Sequence, residues 1–507
     1  MLATVLSATL VGLEALPVSV EVDVGPGLPS FAIVGLPDAA VQEARERVRS
    51  AIRNSGFELP PRRIVVNLAP GDRRKEGPAF DLPIALAILV ATGQLPQDRV
   101  HGYVALGELA LDGAVRGVPG AIVAAQAATE RRARGLLVPA GNACEAAIAE
   151  EVPVHGVTTL RAAVAHLVGA QRLAPVPPPA VTSPAHSPAS LDLADVRGQP
   201  AARRALEIAA AGGLNLLFVG PPGVGKTMLA RRLPTILPPL ERAEAIEVTK
   251  IFSVAGLLPD GGGLIWERPF RAPHHTASSS AIVGGAGFRP GEITLAHHGV
   301  LFLDEMPQFR QDALEALRQP IEDGIVVVAR AHGTVRFPAQ FALVAAMNPC
   351  PCGYRGDLRR ECTCTPPQVQ RHLARVSGPL LDRIDLHVEV PRPPMGDLLG
   401  GSPGESSDAV RARVVAARGR ASARVRAVTG SSLRSEGPHA RLALDPVARA
   451  FLRGAADRLV LGARAAHRVV RVAAAIADLE GTDAIHAQHL AEALQYRVLD
   501  RPAALAP

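Results

Sequence analysis

The run Leu214-Asn-Leu-Leu-Phe-Val-Gly-Pro-Pro-Gly-Val-Gly-Lys-Thr227 decides the fold. Leu214–Val219 is a short apolar stretch that reads as a buried strand. Met228–Leu233 reads as a helix. Between them Gly220, Pro221, Pro222, Gly223, Val224, Gly225, Lys226 and Thr227 complete the pattern GxxxxGK[ST] in a strand–loop–helix setting. Glycines let backbone N–H groups turn towards phosphates at a helix N-terminus, Lys226 reaches the β/γ oxygens and Thr227 holds Mg²⁺. The site is therefore expected to take ATP.

About eighty residues on, Gly299-Val-Leu-Phe-Leu-Asp304-Glu305 is an apolar strand ending in two carboxylates. Asp304 is expected in the Mg²⁺ shell, and Glu305 is expected to orient or deprotonate the attacking water. A further strand, Phe341–Met347, ends at Asn348, an amide suited to sensing the γ-phosphate. Apolar strands alternating with helices argue for an α/β core with its sheet covered on both faces.

The surroundings set the boundaries. Length alone, 507 residues, allows two to four domains. With 48% hydrophobic and 20% charged residues the chain is globular. It has no apolar run of 18 residues, which argues against a membrane span. Its apolar start lacks a basic leader and passes into the alternation Val18–Val24, so it reads as strand rather than signal peptide. Leu173–Ser190, rich in proline, reads as an extended linker that packs no core. The divisions expected are a module over 1–170, a linker over 171–190, an ATPase core over 191–391, a connecting loop over 392–408 and a helical segment over 409–507.

Four of the five cysteines, Cys350, Cys352, Cys362 and Cys364, fall in one insertion, 350–364. Four thiolates suit a tetrahedral, closed, structural Zn²⁺, with His372 as a substitute ligand. Redox-active pairs are the alternative, disfavoured in the reducing cytoplasm where the chain is placed. Cys144 reads as a buried apolar residue. Ile325–Val328 and Thr334–Phe337 read as a hairpin with a basic tip, which makes Arg330, His332 and Arg336 candidates for tracking a DNA backbone without reading bases. Arg411, Arg413, Arg418, Arg420, Arg424 and Arg426 form a run without acidic residues. It reads as a solvated helix face, and with the formal charge of +6 it tilts towards nucleic acid. Of 54 basic residues only Lys75, Lys226 and Lys250 are lysines. Lys75 is expected at the surface or on a partner, and Lys250 has no assigned role.

Asp195-Val-Arg-Gly-Gln199, the phosphate loop, Asp304–Glu305 and Asn348 resemble an AAA+ ATPase. Three runs narrow this: Arg-Pro-Phe-Arg-Ala-Pro-His-His (268–275), Pro-Gly-Glu-Ile-Thr-Leu-Ala-His-His-Gly-Val-Leu-Phe-Leu-Asp-Glu (290–305), and Asn-Pro-Cys-Pro-Cys-Gly (348–353) followed by Ser-Gly-Pro-Leu-Leu-Asp-Arg-Ile-Asp (377–385). They resemble the magnesium-chelatase-like ComM/YifB family, and the likeness covers almost the whole chain. It implies an AAA+ core with a C-terminal helical lid, Arg383 as an arginine finger acting on a neighbouring subunit (Arg375 as runner-up) and Arg464 as a second sensor, with Arg468 and Arg471 nearby. It further implies a hexameric ring with the hairpin at its pore, acting on DNA as a branch-migration helicase in natural transformation. A magnesium-chelatase-type motor is the alternative, in which His274, His275, His297 and His298 are metal ligands rather than structural residues.

Residues 75–85 and 107–120 resemble the α+β proteolytic domain of Lon-type proteases. The positions of the family's nucleophilic serine and activating lysine fall on Ala79 and about Ile122. Neither side chain can do covalent catalysis, so no protease activity is expected.

Overall fold

The computed structural model describes residues 2–179, 191–258, 262–330, 333–357, 359–394, 396, 404–429 and 443–497. In its second half five strands form an all-parallel sheet in the order Phe270–Arg271, Val300–Leu303, Ala342–Met347, Leu216–Val219, Leu386–Glu389. The three central strands are apolar at nearly every position because both faces are covered. Leu216, Phe218, Phe302 and Val344 face one core, whereas Leu217, Leu301, Leu303 and Leu343 face another.

The phosphate-loop strand starts at Leu216, two residues later than its apolar run suggests. Asn215 is taken up by side-chain bonds instead. Its amide donates to Arg383 O (3.0 Å), its Oδ1 accepts from Leu343 N (2.9 Å), and its backbone N–H donates to Asp385 Oδ2 (2.9 Å). These bonds tie three neighbouring strands at the end away from the phosphate loop.

Helices Pro200–Gly212, Ser407–Thr429, Ala463–Glu480 and Ala487–Gln495 complete the first of these cores. The last helix leads back to the sheet, where His387 N donates to Tyr496 O (2.6 Å). The C-terminal helices thus share a continuous apolar cluster with the sheet that carries the phosphate loop.

The first half is built on a seven-stranded mixed sheet in the order Ser30–Val34, Arg63–Ala69, Glu14–Gly25, Leu2–Val11, Tyr103–Ala105, Gly135–Pro139, Val154–Val157. The apolar start is the strand Leu2–Val11, antiparallel to Glu14–Gly25. The alternation read at Val18–Val24 buries Val18, Val20, Val22 and Val24 on one face. Helix Asp81–Ala91 is buried at every residue and fills the centre. The proline-rich segment begins differently from expectation. Leu173 packs on the core under this seven-stranded sheet, and Val176 N donates to Val154 O (2.8 Å), because the outer strand Val154–Val157 offers an unpaired carbonyl. The remainder of that segment, 180–190, lies outside the described residues.

Among the described residues, two of the contacts that join the halves are closely packed. The turn at Gly12 docks on the hairpin 325–338, so tightly that a Cβ at Gly12 would collide with Val335. Helix Arg242–Ala255 docks through Ser253, whose Oγ accepts from Gly120 N (3.0 Å), beside a cluster of Ile122, Val123, Ile148 and Val254. Among the described residues no helix is long and apolar enough to cross a membrane.

Candidate active site

The phosphate loop runs from the strand Leu216–Val219 into helix Lys226–Ala230, with Gly225 left-handed at its N-cap. Lys226 folds back on its own loop: Nζ donates to Gly220 O (2.6 Å), Pro221 O (2.9 Å) and Asn348 Oδ1 (3.0 Å). Burial pulls its pKa down to about 8, against the opposing pull of Asp304 and Glu305. Thr227 Oγ1 donates to Asp304 Oδ2 (2.7 Å). A hydroxyl and a carboxylate on adjoining elements at that distance form an oxygen donor pair suited to Mg²⁺.

Glu305 has φ +50°, an uncommon conformation for a residue with a side chain. Asp304 Oδ1 caps the Glu305 N–H (3.0 Å), while the Glu305 side chain stays exposed with His275 Nδ1 4.0 Å away. His275 and Gln199 are two residues that the sequence reading left out of the site. Gln199, also at positive φ, donates from Nε2 to Val224 O (2.7 Å) and braces the phosphate loop. It stood in the Asp195–Gln199 motif, which was a usable signal. A cavity of about 490 Å³ beside the loop is lined by Asp195, Arg197, Gln199, Gly223, Arg359 and Arg392, among others.

Lys226, Thr227, Asp304, Glu305 and Asn348 are brought together as expected from sequence, but the arginines are not. Arg383 is buried, with Nη2 2.7 Å from Glu322 and Nη1 donating to Pro379 O (2.5 Å). Within this chain its guanidinium is held by Glu322 and Pro379 O. Arg375 is exposed and bonds Pro307 O (3.3 Å) and Gln308 Oε1 (3.2 Å), just beyond Glu305. Arg464 is exposed on the first turn of its helix and does not line the cavity. Arg468 and Arg471 lie 4.0 and 3.3 Å from Asp385 instead.

The four cysteines of the insertion converge. Sγ separations are 3.4 Å for Cys350–Cys352 and 3.6 Å for Cys350–Cys362 and Cys352–Cys362, and all four sulfurs lie within 4.8 Å of one another. A Zn–S bond of about 2.3 Å in a tetrahedron needs edges of about 3.8 Å, so the donor set fits Zn²⁺. His372 is not part of it; its Nε2 donates to Asn348 O (3.0 Å).

The four histidines do not form one ligand set. His297 and His298 both place Nε2 3.0 Å from Glu247 Oε2. His297 Nδ1 accepts from Gln340 N (3.0 Å), and burial pulls its pKa down to about 4. With Nδ1 accepting from Gln340, the neutral ring donates from Nε2 to Glu247. Glu247, His297 and His298 also lie close enough together to hold a metal ion, whereas His274 and His275 are not part of that group.

Lys75 is fully buried, and its Nζ donates to Pro70 O and Arg73 O (2.8 Å for the latter), so it is no surface contact. Lys250 lies on helix Arg242–Ala255, half-buried beside Glu247 and Glu130. The arginine run is not a solvated face: Arg411, Arg413, Arg418, Arg420 and Arg424 bond Thr235 O, Glu207, Ala210 O, Asp478 O and Asp478 Oδ1. Arg426 lies outside the described side chains. On the hairpin, Arg330 and Arg336 are exposed; His332 lies outside the described residues. Ala79 packs at the rim of a core, and Ile122 is fully buried in the cluster against Val254.

A parallel sheet of this order, with a phosphate loop on its fourth strand, two carboxylates on the next strand but one and an amide on the central strand between them, defines a nucleotide-site core of the AAA+ class. Family models agree. Residues 192–398 match "Magnesium chelatase, subunit ChlI", 20–142 match "Subunit ChlI of Mg-chelatase", and 404–497 match "Magnesium chelatase, subunit ChlI C-terminal". The chain is 46% identical to YifB of Salmonella typhimurium over 506 residues, covering 99% of this chain and 98% of the relative. It is 45% identical to the competence protein ComM of Haemophilus influenzae over 507 residues, with 99% and 98% covered. The magnesium-chelatase 38 kDa subunit of Rhodobacter capsulatus is 28% identical over 195 residues, 35% of this chain and 49% of that one. The chain belongs to the magnesium-chelatase-like ComM/YifB family.

Proposed function

We propose that the protein is an ATP-hydrolysing ring motor, a hexamer, that works on DNA as a branch-migration helicase in recombination of incoming DNA. The observation that carries the reading is the pairing of Lys226 with Asn348 and of Thr227 with Asp304 at the ends of adjoining parallel strands. Lys226 neutralises the β/γ oxygens, Thr227 and Asp304 hold Mg²⁺, Glu305 aligns water and Asn348 reads the γ-phosphate. Arg383 acts in trans once assembly frees it from Glu322, and Arg464 supplies a second cation to the assembled site. The cysteines hold a structural Zn²⁺.

The DNA half of the reading is supported by exposed Arg330 and Arg336 and by near-full-length similarity to a protein named for competence. The magnesium-chelatase subunit, in contrast, aligns with about a third of the chain. A cytoplasmic location goes with this reading. The first module, Lon-protease-like on its motifs, has no proteolytic role because Ala79 and Ile122 supply neither nucleophile nor base. Glu305→Gln removes the carboxylate from the water and keeps its shape. Hydrolysis is expected to fall by about 10²–10⁴-fold with nucleotide binding kept; unchanged turnover contradicts the role.

A further inference from the structure

The cysteine insertion lies against the nucleotide site at four points. Asn348, which bonds Lys226, is two residues from Cys350, the buried member of the cluster. Its carbonyl is held by His372, just beyond the insertion. Gly353, at φ +86°, lies on the phosphate loop, where a Cβ would sit 2.8 Å from Pro222 Cδ. Asp357 is 3.3 Å from Arg392, and Arg359 and Arg392 both line the cavity beside Gly223. Arg392 follows the edge strand Leu386–Glu389, so the Asp357–Arg392 pair ties the insertion to the sheet.

Among its described residues the loop has no apolar cluster of its own. Tyr354 stacks under Arg360 (4.0 Å), Cys350 is buried, and apart from the cysteines and Leu358, which lies outside the described residues, the rest is polar, glycine or proline. Metal ligation supplies what small cores lack. We propose that the four-cysteine site is a strut of the nucleotide pocket. A bound Zn²⁺ fixes the insertion so that Arg359 and Arg392 face the nucleotide and Asn348 stays on Lys226, and metal loading therefore sets nucleotide affinity. This rests on the ATP and Zn²⁺ readings above and adds a dependence of one on the other. Both arginines are suited to the charge of a nucleoside triphosphate.

The test uses the full chain and three readouts: zinc per chain by elemental analysis, binding of a fluorescent ATP analogue, and far-UV circular dichroism. Stripping the metal with a thiol reagent and chelator is expected to weaken binding by tenfold or more with helix content kept, and Zn²⁺ returned with reductant is expected to restore it. Asp357→Asn is expected to keep one zinc and lose about tenfold in affinity, since it releases Arg392 without touching a thiolate. Unchanged affinity in stripped, folded protein overturns the strut. If Asp357→Asn binds as tightly as wild type, the Arg392 arm is overturned. Absence of zinc from freshly purified reduced protein defeats the metal reading, and absence of nucleotide binding in loaded protein defeats the ATP reading.

Discussion

The helix Ser407–Thr429 and the hairpin 325–338 are both basic in sequence, but their arginines meet opposite surroundings. The helix lies along Pro200–Gly212 and Ala463–Glu480, whose last turns leave carbonyls without intrahelical partners. Arg418 donates to Ala210 O and Arg420 to Asp478 O, so these cations satisfy the negative ends of two neighbouring helices. Arg413 takes Glu207 (2.6 Å) and Arg424 takes buried Asp478 (2.5 Å). On the hairpin, strand alternation buries Val326, Val328 and Phe337 and turns Arg336, opposite Val327, to the other face. A run of arginines is therefore poor evidence for a nucleic-acid surface; two exposed arginines on a two-stranded element are better evidence.

Substitutions can break that contrast. The largest effect on stability is expected for Asp478→Ala, which leaves Arg424 without its buried carboxylate and costs about 2–3 kcal/mol. A thermal melt should fall by several degrees, with the salt dependence of DNA binding unchanged. A change in that salt dependence would put the helix back on the DNA. The second effect is smaller in stability and larger in binding. Arg330→Ala with Arg336→Ala should lower the slope of log affinity against log salt by about 1.8 for duplex contacts, with stability within about 0.5 kcal/mol of wild type. An unaltered slope removes the hairpin from the DNA interface.

The phosphate-loop strand, the Asp304 strand and the Asn348 strand were legible because each is a short apolar run ending in chemistry, and a parallel sheet places such ends together. The four cysteines were legible because their spacing is local. Arg383 was not. Its motif gives a family role, while its ion pair with Glu322 depends on an element sixty residues away in sequence. Buried Lys75 was missed for a similar reason, since its partners are carbonyls of its own loop. Glu305 was read from its neighbours, but its positive φ leaves no mark in composition. The linker was read as free of packing because prolines dominate it, although Leu173 and Val176 are apolar residues beside an open strand edge.

The central claim is that ATP hydrolysis at Lys226, Asp304 and Glu305 moves DNA. Its most direct test is displacement of a labelled strand from a three-stranded branched DNA by the purified protein, with and without ATP and Mg²⁺, beside Glu305→Gln. The account predicts displacement with ATP by the wild type alone. Displacement that persists in Glu305→Gln, or none by a wild-type protein that hydrolyses ATP with the branched DNA present, would contradict it.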